Sequence, residues 1–285
     1  MGIGDSFGRG IDLAGRALNR AVEFAKVRFF PLLSYFIVSY IVMVAGIVLA
    51  AAVLLILLLP AGLLENPESV PMWSMALGGA IGILLMVFFT SVSMGTRFCG
   101  IRYISTGARQ PYISGKMSWK GFLFLLIFGI IYGIILGLVV LPLALGLIGP
   151  GGLLAGILLM YAMLFVAIVL MVAVAFATVY VQFEMAAGDA GPIEALRKSW
   201  GLVKNNFWET AVFFIVMWAI SYVLGLVVTV PIMLLSVGAI IMPLIGIPLL
   251  VILSFVADAA IETIIMPAWV YFWKEMKGAR RTRGA

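Results

Sequence analysis

Two carboxylates, Asp258 and Glu262, stand four residues apart inside an apolar run from Ala239 to Trp273, and Ser254 extends the same face. In a helix that spacing stacks the three side chains one turn above another. With Lys274 taken as the membrane interface, Glu262 would sit about 18 Å deep and Asp258 about 24 Å deep. An acid at the centre of a bilayer costs about 2.5–3.5 kcal/mol on insertion scales, so such residues face a cavity or a partner. The spans drawn below contain no Lys or Arg, so no counter-charge is expected for the pair. The cheapest arrangement then keeps a proton on at least one carboxyl group. As chemistry, Ser254, Asp258 and Glu262 would form a proton or cation site. Two structural readings stay open: a protonated pair hydrogen-bonded within a bundle, or a span that ends near Ala257 and leaves both acids at the interface.

Other chemistry is sparse. The chain has no histidine, which excludes His-based zinc or haem sites and a Ser-His-Asp triad. Its one cysteine, Cys99, rules out an intrachain disulfide. Ala187-Gly188-Asp189 is not the Gly-x-Gly-Asp of intramembrane aspartyl proteases. No nucleotide loop, metal-ligand cluster or nucleophile with a base is present, so the expectation is no enzyme, no metal and no cofactor.

The elements that must carry these residues are membrane helices. Of 285 residues 65% are hydrophobic and 11% charged, against about 25% charged in a soluble domain. A bilayer core of about 30 Å needs roughly 20 helical residues. Six stretches qualify: Phe30–Leu59, Met72–Gly95, Phe122–Gly146, Leu153–Val181, Ala211–Leu235 and Ala239–Tyr271. Pro142 and Pro231 fall near the far ends of their spans, and Pro243 and Pro248 suggest an irregular start to the sixth. The expected fold is an all-α, polytopic transmembrane bundle forming one integral membrane domain over 1–285. It comprises an amphipathic helix at 1–28, a six-helix bundle at 29–273 with loops 96–120 and 182–209, and a basic tail at 274–285.

Charge fixes the expected orientation. All 18 basic residues lie in the first 28 residues, in Thr96–Lys120, in Gln182–Glu209 or after Trp273. The opposite connections, Pro60–Pro71, Leu147–Gly152 and a turn near Ser236–Gly238, hold Glu65 and Glu68 and no Lys or Arg. The positive-inside rule places both termini in the cytoplasm of a plasma-membrane protein. The first 28 residues are charged throughout and the apolar run after them is too long for a signal peptide. The net charge of +6 is read as membrane orientation and contact with anionic headgroups, with no nucleic-acid partner.

Two amphipathic segments flank the spans. Over residues 3–26, Ile3, Phe7, Ile11, Ala14, Leu18, Val22 and Ala25 share one arc, opposite Asp5, Arg9, Asp12, Arg16, Arg20 and Glu23. The apolar arc is expected to be buried in the interface or against the bundle, with Arg9 and Arg16 exposed. After Pro192, Ile193, Leu196, Trp200 and Val203 form a second stripe, with Glu194 and Lys198 paired on another face and Lys204 following. The two segments align: Arg16-Ala17-Leu18-Asn19-Arg20 lies over Glu194-Ala195-Leu196-Arg197-Lys198, Lys26 over Lys204, Phe29 over Phe207, and Phe36-Ile37-Val38 over Phe214-Ile215-Val216. The suggested repeat is an amphipathic helix followed by a transmembrane hairpin. Lys116-Met117-Ser118-Trp119-Lys120 would precede a divergent middle copy. Gly129, Gly133 and Gly137 make a small-residue stripe suited to close helix packing within the chain or in a homo-oligomer, and Gly152 with Gly156 begins another. Trp73, Trp119, Trp208, Trp269 and Trp273 read as interfacial anchors.

The run from Pro192 to Trp208, Pro-Ile-Glu-Ala-Leu-Arg-Lys-Ser-Trp-Gly-Leu-Val-Lys-Asn-Asn-Phe-Trp, resembles a segment of a poorly characterised group of six-span prokaryotic membrane proteins. That group includes the membrane domain attached to some glycerophosphodiester phosphodiesterases. The resemblance implies an all-helical membrane protein without established catalytic residues. The phosphodiesterase activity belongs to a separate soluble barrel and is not implied. The leading expectation is a non-enzymatic multi-pass protein acting in membrane organisation or assembly, with membrane lipids or a protein partner. The alternative is a small-solute or cation/proton-coupled transporter or channel built on Asp258 and Glu262.

Overall fold

A computed structural model describes residues 3–58, 71–148, 152–241 and 243–283. The protein is 93% helical and has no strand among the described residues, which places it in the all-α class. Eight described helices follow in order: α1 (Ile3–Leu58), α2 (Met72–Thr106), α3 (Gly115–Ile148), α4 (Gly152–Thr178), α5 (Val181–Ala186), α6 (Pro192–Asn205), α7 (Phe207–Ile241) and α8 (Pro243–Arg283). Six of them, all but α5 and α6, are long and apolar enough to cross a membrane. The chain is a multi-pass membrane protein. Glu65 and Glu68, with nearly all of the connection that holds them, lie outside the described residues.

Helix ends depart from the expected spans for local reasons. α1 runs from the amphipathic segment into the first span with a kink at Arg28, where φ is −126° and ψ is 19°. Pro31 explains it, because its ring displaces the carbonyl four residues earlier and it has no N–H to donate. α2 continues past Gly95 to Thr106, so the expected 96–120 loop shrinks to 107–114. Its stop signal is Gly107, at φ 74°, whose N–H donates to the Tyr103 carbonyl at 2.8 Å. α7 passes through Pro231 to Ile241, which removes the turn expected near Ser236–Gly238. α8 starts at Pro243, a residue suited to a first helical turn.

The chain divides into two compact units, residues 1–122 with 206–285, and residues 123–205. In the first, α1 packs on α2 and α8, and α7 on α8 and α1. Helices approach closely where glycine allows it: a Cβ on Gly46 would stand 2.3 Å from the Cβ of Phe89, and one on Gly95 2.6 Å from the Ser118 backbone. The core of this unit gathers at its basic end, around Leu32, Phe36, Phe98, Ile101, Phe213, Phe272 and Met276, with the Phe213 and Phe272 rings stacked at 3.8 Å. Away from that end the helices expose hydrocarbon, from Ile41 to Ile56 on α1, Met72 to Phe88 on α2 and Leu249 to Ile264 on α8. That belt is the surface lipid tails would wet.

In the second unit α6 packs on α4 and α5. Ser199 ties them together: its hydroxyl donates to the Ala177 carbonyl at 2.9 Å and accepts the Tyr180 N–H at 3.2 Å. Around it Tyr180, Phe183, Met185, Ala195, Leu202 and Val203 are buried. Among the described residues, a Cβ on Gly129, Gly133 or Gly137 would meet open space.

Candidate functional site

The two acids differ in their surroundings. Arg97 of α2 reaches Glu262 of α8, with Nη2 3.0 Å from Oε1, which overturns the expectation of an acid without a counter-charge. The reason is the length of α2. With no helix stop before Gly107, the Arg97 side chain sits inside a helix rather than in a loop. Arg97 Nε donates to the Ser39 hydroxyl at 3.3 Å, and Ser39 is bonded to Ser93 at 2.8 Å. The guanidinium lies 5.2 Å from the Tyr40 ring centroid. Arg97 therefore bridges α2 to α8 across the face of α1. Glu262 Oε2 is buried without a hydrogen-bond partner among the described residues.

Asp258 stands one turn from Glu262 and is exposed. Ser254 does not join it, because its hydroxyl donates to the Leu250 carbonyl of its own helix at 2.8 Å. The polar cluster is Ser39, Tyr40, Ser93, Arg97, Glu262 and Asp258. Below it, along α1 and α8, runs a cavity of about 770 Å³. Its walls include Ile41, Val44, Val48, Phe89, Ile252 and Phe255, and Tyr40 is the one residue of its lining that carries a hydroxyl.

The second candidate surface is the amphipathic arm, residues 3–27. Its packed face is Gly10, Leu13, Ala14, Ala17 and Ala21. Phe7, Ile11 and Val22, expected in the interface or against the bundle, are not packed on the bundle: they are 50%, 52% and 48% exposed on the protein. Small side chains win the packed face because they let the arm approach closely: a Cβ on Gly10 would be 3.1 Å from Val212 Cβ. Arg9, expected to be exposed, pairs instead with the buried Glu209 of α7 at 2.8 Å, and Arg20 pairs with Glu275 of α8 at 2.5 Å. The arm thus crosses the end of α8 and the start of α7. Arg16 is exposed and lines the cleft between them. At the kink, Arg28 donates to the Gly107 carbonyl at 2.8 Å, and Lys274 donates to the Ser105 carbonyl.

α6 shows the same division. Ala195, Ser199, Leu202 and Val203 are buried, whereas Ile193 and Trp200 are exposed, Trp200 by 56%. Lys204 is also exposed. Lys198 pairs with Glu194 at 2.5 Å, as their spacing predicted. The hydrogen bond from Lys198 lowers the Glu194 carboxyl below its ordinary range, and the same bond raises the Lys198 ammonium. Of the tryptophans, Trp73, Trp119 and Trp208 are exposed, but Trp273 is buried, with Lys277 over its ring.

Arg97, Tyr40, Glu209 and Glu275 were not identified from the sequence as site residues. One signal for Arg97 was present: Phe98, Ile101 and Ile104 continue the helical period of the second span beyond Gly95. Comparison with curated proteins finds no match, and neither does comparison with solved structures. Comparison with protein families matches one model, Domain of unknown function (DUF7847), over residues 101–276. The match carries no link to the phosphodiesterase-associated membrane domain. It covers more than half of the chain, from the last turns of α2 through the acidic residues of α8, and the protein accordingly belongs to the DUF7847 family.

Proposed function

We propose that this chain is a non-enzymatic multi-pass protein of the plasma membrane that organises the cytoplasmic leaflet through two surface helices. One observation carries the reading. Both arms dock by one face and leave an adjacent apolar strip exposed, Phe7, Ile11 and Val22 in one and Ile193 and Trp200 in the other. An exposed apolar strip on a helix with a basic flank is the pattern of a helix lying in the headgroup region. The positive-inside pattern supports cytoplasmic arms and termini.

The test is nitroxide scanning of the full chain in vesicles, with Cys99 replaced and single labels at Phe7, Ile11, Val22, Trp200 and Arg16. The first four should be open to oxygen and closed to a water-soluble nickel complex, and Arg16 the reverse. Aqueous accessibility at both Val22 and Trp200 would end this reading.

The alternative is a cation- or proton-coupled transporter, supported by exposed Asp258 beside a charged cluster. Against it, Glu262 is engaged by Arg97, and the cavity beside the acids is walled by hydrocarbon where an ion path needs polar groups. Cation flux in liposomes should be unchanged by Asp258→Asn with Glu262→Gln. Abolished flux in the folded double variant would favour transport.

A further inference from the structure

We propose that the cavity under the Arg97–Glu262 bridge is a binding site for a phospholipid whose headgroup carries a primary ammonium. Its occupant would seat one acyl chain along α1 and α8 and its headgroup against Arg97, Glu262 and Asp258. The site is separate from the two arms and does not depend on how they meet the membrane.

Shape gives the first half of the argument. The cavity follows α1 from Ile37 to Ala52, about 22 Å at 1.5 Å per residue. Half of a 30 Å hydrocarbon core is about 15 Å, so a chain from one leaflet fits within that length. Val251, Ile252, Phe255 and Val256 of α8 form one wall and Phe89 of α2 contributes to the other, all hydrocarbon. Tyr40 lines the end nearest the polar cluster, its ring 5.4 Å from Phe255 and 5.2 Å from the Arg97 guanidinium. The polar cluster lies toward the basic ends of α1, α2 and α8 from the cavity, the direction in which the headgroup of a lipid from that leaflet would stand.

Charge selects the headgroup. Arg97 contributes one positive charge and Glu262 and Asp258 two negative ones, leaving a net of one negative. The pairing is uneven. Glu262 Oε1 takes the Arg97 guanidinium, while Oε2 has no hydrogen-bond partner among the described residues. Asp258 is exposed, with no ion pair or hydrogen bond among the described residues, and it acts electrostatically on Tyr40 and Glu262. An ammonium group donates up to three hydrogen bonds, and the exposed Asp258 carboxylate offers it two acceptor oxygens. The phosphate of the same headgroup would lie toward Arg97, where it keeps a favourable charge partner. An anionic lipid would instead bring a second negative charge to two carboxylates that share one cation, and like charges repel.

The experiment is lipid retention by the full chain. The protein is reconstituted in vesicles of equal ethanolamine and glycerol phospholipid, re-extracted in mild detergent, and its bound lipids are weighed by native mass spectrometry. The ethanolamine lipid should be retained about tenfold over the glycerol lipid, the size of one charge-assisted hydrogen bond. Asp258→Asn leaves the Arg97–Glu262 bridge in place and should lower that preference about tenfold, with an unchanged circular dichroism spectrum. Ala45→Phe, which fills the cavity from exposed Ala45, should remove retained lipid of both kinds. Equal retention of the two lipids by the wild type would overturn the assignment. So would an undiminished preference in folded Asp258→Asn. A cavity closed by a second copy would appear as disulfide-linked dimers of Val48→Cys with no retained lipid, and would overturn it as well.

Discussion

Residues 3–58 and residues 192–241 are two versions of one device, an amphipathic helix, an elbow and a span. In the register that lays Ala17 over Ala195, Ala21 meets Ser199, and all four residues are buried. Val22 meets Trp200, both exposed, and Leu18 meets Leu196, both half-buried. The elbows coincide too: Arg28, where α1 kinks, falls on Asn206, where the chain breaks between α6 and α7. The bonds that hold the arms differ. The first is clamped by the ion pairs Arg9–Glu209 and Arg20–Glu275, the second by the neutral hydrogen bonds of Ser199 and by buried Leu202 and Val203. A shared face pattern thus preserves how an arm lies, while the groups that anchor it are free to change.

The largest effect should come from the packed face. Leu202→Ala removes a buried side chain and should cost about 3 kcal/mol in the thermal unfolding of the detergent-solubilised protein. Val22→Ala and Trp200→Ala, on the exposed strips, should each stay within about 0.5 kcal/mol. If the exposed pair proved as costly as Leu202, the shared register would be broken.

A smaller effect should separate the clamps. Arg9→Gln strands Glu209, whose side chain is only 6% exposed, and should cost about 1–2 kcal/mol. Ser199→Ala should cost about 1 kcal/mol. In 1 M salt, where screening acts over about 3 Å, the deficit of Arg9→Gln should shrink and that of Ser199→Ala should not. Equal salt dependence of the two would erase the distinction.

The smallest effect concerns the Glu194–Lys198 pair, whose groups are exposed. The Glu194 carboxyl is held low, so its contribution is present above the ordinary glutamate range and is lost as pH falls through the lowered value. Lys198 is held high, so its contribution is present below the ordinary lysine value and is lost as pH rises through the raised one. Carboxyl chemical shifts should show Glu194 titrating below a free glutamate, and Lys198→Gln should return it to the ordinary range. No change in the Lys198→Gln variant would remove the pair from the account.

By itself the sequence determined what depends on neighbours along the chain. Six apolar runs set six membrane helices, because hydrocarbon tolerates only backbones that satisfy their own hydrogen bonds. The i,i+4 spacing of Glu194 and Lys198 set their pair, and the aligned stripes set the two arms. Tertiary structure decided which side of each stripe packs and which acid gains a partner. Arc positions mark hydrophobic side chains, but close approach rewards small ones, so Ala17 and Gly10 took the interface and Phe7 was left outside. Glu262 and Arg97 are far apart in sequence, and nothing local to either predicts the bridge. Only when α2 carried its helix past Gly95 and packed beside α1 did Arg97 come within reach, which gave one acid a counter-charge and left Asp258 exposed.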